Sequence, residues 1–275
     1  MNDSSPFVAA TLSALRLVSF VPHGRDAVHV GLLSLNAEQV VDLETLGISD
    51  ALEAIDQLPM LRQAAGAIMR GATRHAFPVH AVHLVAPIPL VRCVVQASLL
   101  LPPVFADPVT LHGPGGHLSR GDAAKACVGL AAVVGDVVKA GQDRDDRTFD
   151  GALVGTVLVL GWPQPGPDGH DVLLPGAVGP FVAVPRRRPE SLRLTHVAPL
   201  SAVPVDDVEV SLSAPCDDEF LALARVAARS HTLRPGDLLT IFPQSAEPNE
   251  PLAVDAGSWL RASAPGLGTL SLAVR

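Results

Sequence analysis

Between Val82 and Pro114 the chain never runs far without a proline. Pro87, Pro89, Pro102, Pro103, Pro108 and Pro114 cut it into short apolar segments. Each proline removes a backbone donor and restricts the residue before it, so long helices are excluded from this region. Two runs beyond it, residues 128–138 and 152–160, are rich in β-branched side chains and long enough to be central strands. The expected fold is α+β, mostly β.

Upstream, Leu15-Arg16-Leu17-Val18-Ser19-Phe20 alternates, Pro22-His23-Gly24-Arg25 turns, and Val28-His29-Val30-Gly31-Leu32-Leu33 resumes, which predicts a hairpin. Gln39-Val40-Val41-Asp42-Leu43 adds a third strand to a small antiparallel sheet. Leu52, Ile55, Leu58, Leu61, Ala65 and Ile68 then recur at helical steps behind Asp50, a good capping residue. Pro59 is expected to kink or split that helix. Later, residues 192–196 and 208–212 read as strands. Residues 217–229 read as a helix with an apolar stripe at Phe220, Leu221, Ala224, Val226 and Ala227, capped by Asp217 or Asp218. Residues 237–242, 259–264 and 269–274 read as closing strands, and 141–147 as a polar connection. Strands and helices do not alternate, which disfavours a doubly wound sheet. The chain divides into a loose tail (1–14), a small α+β domain (15–84) and a β-rich domain (85–275).

A net charge of −8 argues against nucleic acid, because phosphate binding needs clustered Lys and Arg. The one basic run, Arg186-Arg187-Arg188 between Pro185 and Pro189, reads as a solvated turn. Cys93, Cys127 and Cys216 are odd in number and widely spaced, with no C-x-x-C, which fits a reducing cytoplasm. The first residues lack the basic start of a signal peptide, and apolar runs such as 152–162 are about half of a membrane span. Charged residues are only 17% of the chain, below the usual quarter or so, as in proteins that hide surface in an oligomer.

Several stretches are similar to one enzyme family. His231-Thr232-Leu233-Arg234-Pro235-Gly236-Asp237-Leu238-Leu239, followed by Pro265-Gly266-Leu267-Gly268-Thr269-Leu270, resembles the end of fumarylacetoacetate hydrolase domains. Leu130-Ala131-Ala132-Val133-Val134-Gly135 resembles the family's first long strand. Val154-Gly155-Thr156 and Val178-Gly179-Pro180-Phe181-Val182 resemble two later segments. The opening, 16–33, resembles the small N-terminal domain of many bacterial members, and 82–89 the joint after it. The resemblance implies a twisted mixed β-roll, a homodimer with each cleft near the subunit interface, and a small oxo acid as ligand.

It also implies a Mg²⁺ or Mn²⁺ ion held by three carboxylates, which stabilises a developing enolate. Aligned on Gly135 and Gly155, those carboxylate positions fall on Cys127, Gly129 and Gly161, beside Trp162. None is an acid, and no Glu-x-Glu occurs anywhere in the chain. The stretch matching the family's lid, 96–103, has no base. The family's lysines fall on Asp107 and near His170, and its substrate loop reads Thr240-Ile241-Phe242-Pro243. The resemblance therefore implies a ligand cleft at Cys127, Gly129, Gly161, Trp162, Thr240 and Phe242, with no metal or other cofactor expected.

Three readings follow. In the first, the fold and a small-molecule cleft persist without the metal-dependent hydrolase or lyase reaction, in a binding protein or a non-catalytic partner of an active homologue. In the second, the cleft performs metal-independent isomerisation, cyclisation or decarboxylation, with His170, His112 or Asp107 as acid–base groups and Phe242 and Trp162 as walls. The third is an ordinary family hydrolase whose register has slipped. His112 and His117 are also candidates for a loop zinc pair.

Overall fold

The structure, a computed structural model, describes residues 14–71, 75–88, 90–96, 104–141, 145–165, 171–187, 189–198, 204–211, 216–243 and 255–275. Strand β1 (Leu15–Pro22) turns back into β2 (His29–Leu33), and β3 (Gln39–Asp42) continues the ladder. Helices α1 (Ala51–Asp56) and α2 (Leu58–Gly71) follow. Asp50 caps α1, its carboxylate accepting the Glu53 N–H at 2.9 Å. The expected split occurs, and Pro59 sits in the first turn of α2, where its missing N–H leaves no helical bond unmade.

The β elements that follow are β4 (Ala76–Pro78), β5 (Val82–Val85), β6 (Leu90–Gln96), β7 (Val104–Thr110) and the short β8 (His117–Leu118). After α3 (Arg120–Ala124) come β9 (Cys127–Val134), α4 (Asp146–Ala152), β10 (Leu153–Pro165), β11 (Asp171–Val178) and β12 (Val182–Val184). β13 (Ser191–Val197), β14 (Pro204–Ser211), α5 (Cys216–Ser230), β15 (Leu238–Ile241), β16 (Trp259–Ala264) and β17 (Gly268–Val274) complete the chain. The polar connection at 141–147 thus ends inside α4. Helix α5 begins at Cys216, so Asp217 and Asp218 lie within its first turn rather than ahead of it.

The N-terminal strands do not close a sheet of their own. β1 pairs with β12, Leu17 opposite Val182, and so enters a twelve-stranded sheet ordered β4-β3-β2-β1-β12-β10-β9-β15-β6-β7, with β5 on β1 and β11 on β10. A five-stranded sheet, β14-β13-β16-β17-β8, lies against it.

The centre of the large sheet is apolar on both faces. Leu130, Ala132, Val134, Leu158 and Leu160 share one core with Leu192, Leu260 and Leu270 of the second sheet and with Phe220, Leu223 and Ala227 of α5. Ala131, Val133, Val157 and Val159 share another with the N-terminal hairpin and α1. Burial on both faces explains why β9 and β10 are continuous hydrophobic runs instead of alternating ones. Each buried Leu or Val there contributes about 1.5–3 kcal/mol.

The basic run is not wholly solvated. The Arg186 side chain is only 10% exposed and is paired with the Asp150 carboxylate. The Asp150 carboxylate, just before β10, therefore draws its counter-charge from Arg186. No helix among the described residues is long and apolar enough to cross a membrane.

Candidate ligand cleft

Strand register builds one corner of the large sheet. β15 runs parallel to β6, with Ile241 beside Gln96, and antiparallel to β9, with Ile241 opposite Leu130. β9 in turn faces β10, with Gly129 opposite Val159 and Cys127 opposite Gly161. Cys127, Gly129, Gly161, Thr240 and Phe242, far apart in the chain, thereby come together. Alternation places Ala131 with Gly129, and Thr240 with Leu238 and Phe242, on the face that carries the second apolar core.

Phe242 fills the corner. It is 5% exposed, and its ring lies over both glycines. A Cβ on Gly129 would fall 2.6 Å from the ring's Cδ1 and 2.5 Å from the Ile241 carbonyl oxygen; one on Gly161 would fall 2.7 Å from Cε1 and 2.8 Å from the Leu174 oxygen. Close-packed atoms do not approach so near, so neither position accepts a side chain unless ring and backbone move.

Cys127 is half-buried, and burial pushes its thiol above the ordinary cysteine value. Its sulfur sits 3.8 Å from the Lys125 carbonyl oxygen, which it faces as a donor. The three positions that the resemblance gives to metal-binding carboxylates thus offer one neutral thiol and two bare α-carbons. That donor set does not fit a hard ion such as Mg²⁺, which takes oxygen ligands.

Thr240 is different. It is fully buried, and its hydroxyl has no hydrogen-bond partner among the described residues. A buried hydroxyl left unpaired costs about 1–3 kcal/mol.

Trp162 does not join this wall. It belongs to the other apolar core, and its indole covers Gly176, where any Cβ would overlap the ring. Of the acid–base candidates, His112 is exposed and bound through its backbone, donating to the Gly176 carbonyl and accepting from the Val178 N–H, each at 2.9 Å. Asp107 lies on β7, at the edge of the sheet, and the placement of its side chain is outside the described residues, as is His170 altogether. His112 and His117 form no group of three with other His, Cys, Asp or Glu side chains among the described residues. One such group does converge, His29 with Asp42 and Glu44, which the spacing of histidines and cysteines did not single out.

Two cavities of about 730 and 720 Å³ open elsewhere, the first beside Arg16, Phe181 and Arg193, the second beside Arg62, Asp136 and Arg186. Neither is lined by the residues of the Phe242 corner.

No protein-family model and no curated protein matches the sequence. Solved structures do match the fold. Maleylpyruvate hydrolase from Sphingobium sp. SYK-6 aligns over 94% of this chain and 98% of its own, at 16% identity and a TM-score of 0.67; the same enzyme has been crystallised with manganese(II) and pyruvate. A 5-carboxymethyl-2-hydroxymuconate delta-isomerase from Mycobacterium smegmatis aligns over 94% and 98% at 17% identity and a TM-score of 0.62. A 2-hydroxyhepta-2,4-diene-1,7-dioate isomerase from Mycobacterium marinum aligns over 94% and 98% at 19% identity and a TM-score of 0.60. Matched along almost its whole length to hydrolases and isomerases of this kind, the chain has the fold of the fumarylacetoacetate hydrolase superfamily.

Proposed function

We propose that this chain is a divergent fumarylacetoacetate hydrolase-like protein that has given up the Mg²⁺- or Mn²⁺-dependent reaction and keeps its cleft for binding. One observation carries the reading: the Phe242 ring lies on Gly129 and Gly161, where acidic side chains would otherwise project. A developing enolate needs a cation beside it, and this corner offers neutral and apolar groups instead. The walls formed by Ala131, Val159 and Phe242 favour a non-catalytic role over metal-independent chemistry, which would need convergent acid–base groups. The Thr240 hydroxyl is fully buried, so a small organic acid would reach it only if this packed corner opened. The low share of charged residues also supports a homodimer, or assembly with an active homologue, and the net charge of −8 supports a role without nucleic acid.

The test is turnover. The purified chain is incubated with maleylpyruvate, other acylpyruvates and oxaloacetate, with and without Mn²⁺, and pyruvate release is followed. We expect no release above the rate of the metal alone. Manganese-dependent pyruvate formation that saturates with substrate would overturn the proposal. Light scattering tests the dimer, for which a single-chain mass in solution is the contrary result.

A further inference from the structure

The hairpin formed by β2 and β3 carries a second constellation, separated in the sheet from the Phe242 corner by β1 and β12. The register sets Gly31 opposite Asp42. Continued by two residues, it brings His29 across from Glu44 and diagonal to Asp42, all on one face. The side chains converge: His29 Nδ1 lies 3.0 Å from Asp42 Oδ2 and 3.2 Å from Glu44 Oε2. His29 and Asp42 are each 9% exposed, while Glu44 is 68% exposed.

These separations suit hydrogen bonds, but the proton and charge balance is poor for hydrogen bonding alone. An imidazole nitrogen bears at most one hydrogen, yet two carboxylates are aimed at the same Nδ1. All three ligand atoms lie within 4.8 Å of one another. Two negative charges then face at most one positive charge, with His29 and Asp42 largely shielded from water and Glu44 open to it. A divalent cation resolves both deficits. With metal–ligand bonds of roughly 2.1 Å, neighbouring ligand atoms sit about 3 Å apart, so little rearrangement is needed. The cluster is also braced as metal ligands commonly are. Asp42 turns its other oxygen to the Glu44 N–H at 2.9 Å, and the His29 ring lies 5.6 Å from the Phe20 ring, centre to centre. The exposed Glu44 leaves a path for the ion and room for water ligands.

We propose that His29, Asp42 and Glu44 form a binding site for a borderline first-row divalent cation, with Zn²⁺ the preferred ion. One imidazole and two carboxylates with open positions match zinc chemistry better than that of Mg²⁺, which favours all-oxygen shells. The site lies apart from the Phe242 corner and stands whether or not the chain is catalytic.

The test titrates the full metal-free chain with cobalt(II), read by visible absorption and equilibrium dialysis, followed by displacement with Zn²⁺. We expect one cobalt per chain, displaced by zinc, with a Zn²⁺-dependent rise in Tm. His29→Gln and Asp42→Asn should each weaken binding at least tenfold, with folding checked by circular dichroism. Glu44→Gln, at an exposed position, is the variant to use if the other two fail to fold. Cys127→Ser should leave binding intact. The proposal is overturned if the ion does not bind stoichiometrically, if these variants bind it as well as the parent, or if a thiolate-to-cobalt band appears that Cys127→Ser removes.

Discussion

Arg92 on β6 and Asp237 at the mouth of β15 form a two-pronged ion pair that locks the parallel β6–β15 contact. Nε meets one carboxylate oxygen at 3.0 Å, and a terminal guanidinium nitrogen meets the other. The same carboxylate accepts the Arg234 N–H at 2.7 Å, closing the Pro235-Gly236 turn, in which Gly236 has φ +87°. Arg92 also donates to the Thr232 carbonyl oxygen at 3.2 Å. One aspartate thus serves both turn and sheet, and this turn positions Thr240 and Phe242.

Asp237→Ala removes both functions and leaves Arg92 facing a buried gap. We expect a loss of about 2–3 kcal/mol, at or somewhat below the low end for breaking a buried pair because Arg92 is partly exposed. Urea denaturation measures it. A loss below about 0.5 kcal/mol would mean that the turn holds without its acid.

Phe242→Ala empties the corner over Gly129 and Gly161 and is expected to cost about 3–5 kcal/mol, as for other large buried aromatics. Gly129→Ala and Gly161→Ala press into the ring from the opposite side and should each cost about 1–3 kcal/mol. Combining Gly129→Ala with Phe242→Ala should relieve only part of that overlap, because the Ile241 carbonyl remains in the way. Thermal unfolding of the singles and the double gives the coupling, and strict additivity would place the ring away from Gly129.

Burial raises the Cys127 thiol, so the folded state holds its proton to higher pH than the unfolded chain does. The resulting stabilisation is fully present below the unfolded thiol value of about 8.5 and is lost as pH climbs through the higher folded value. Cys127→Ser should flatten the alkaline fall in stability. Iodoacetamide at pH 8, read peptide by peptide in a mass spectrometer, should modify Cys127 at least tenfold more slowly in the native than in the denatured chain. Equal rates would contradict the shift.

Asp50→Ala deletes the cap of α1 and should cost about 1 kcal/mol, while Asp50→Ser should cost only a few tenths. Chemical denaturation distinguishes the two.

Where structure follows from neighbours in the chain, the amino-acid sequence was readable. The β1–β2 hairpin, the cap at Asp50, the helix divided ahead of Pro59 and strands β9 and β10 all rest on local periodicity and composition. Strand β11 did not announce itself, because Pro175 and Gly176 interrupt it, yet as a partner of β10 it tolerates both. Helix α4 is short, and its first two residues fall in the charged stretch 141–147, so its start read as a polar loop. The gathering of Cys127, Gly129 and Gly161 was legible only through family resemblance. The ring that covers two of them was not, since it depends on a β9–β15 pairing between distant segments. Asp42 and Glu44 already stand two apart in the sequence, but nothing there assigns His29 to them until β2 and β3 align. The placing of Trp162 beside Phe242 failed for a similar reason: residues adjacent in a strand face opposite ways.

The bond between β1 and β12 has a bearing on any attempt to divide this molecule. Cutting at residue 84, where composition shifts, would strip Val182-Ala183-Val184 of its backbone partner along one side and bare a run of apolar backbone. Such a raw margin recruits other chains. The shortened protein should therefore precipitate or form ladders of self-paired copies, making the opening hairpin a built-in guard against clumping.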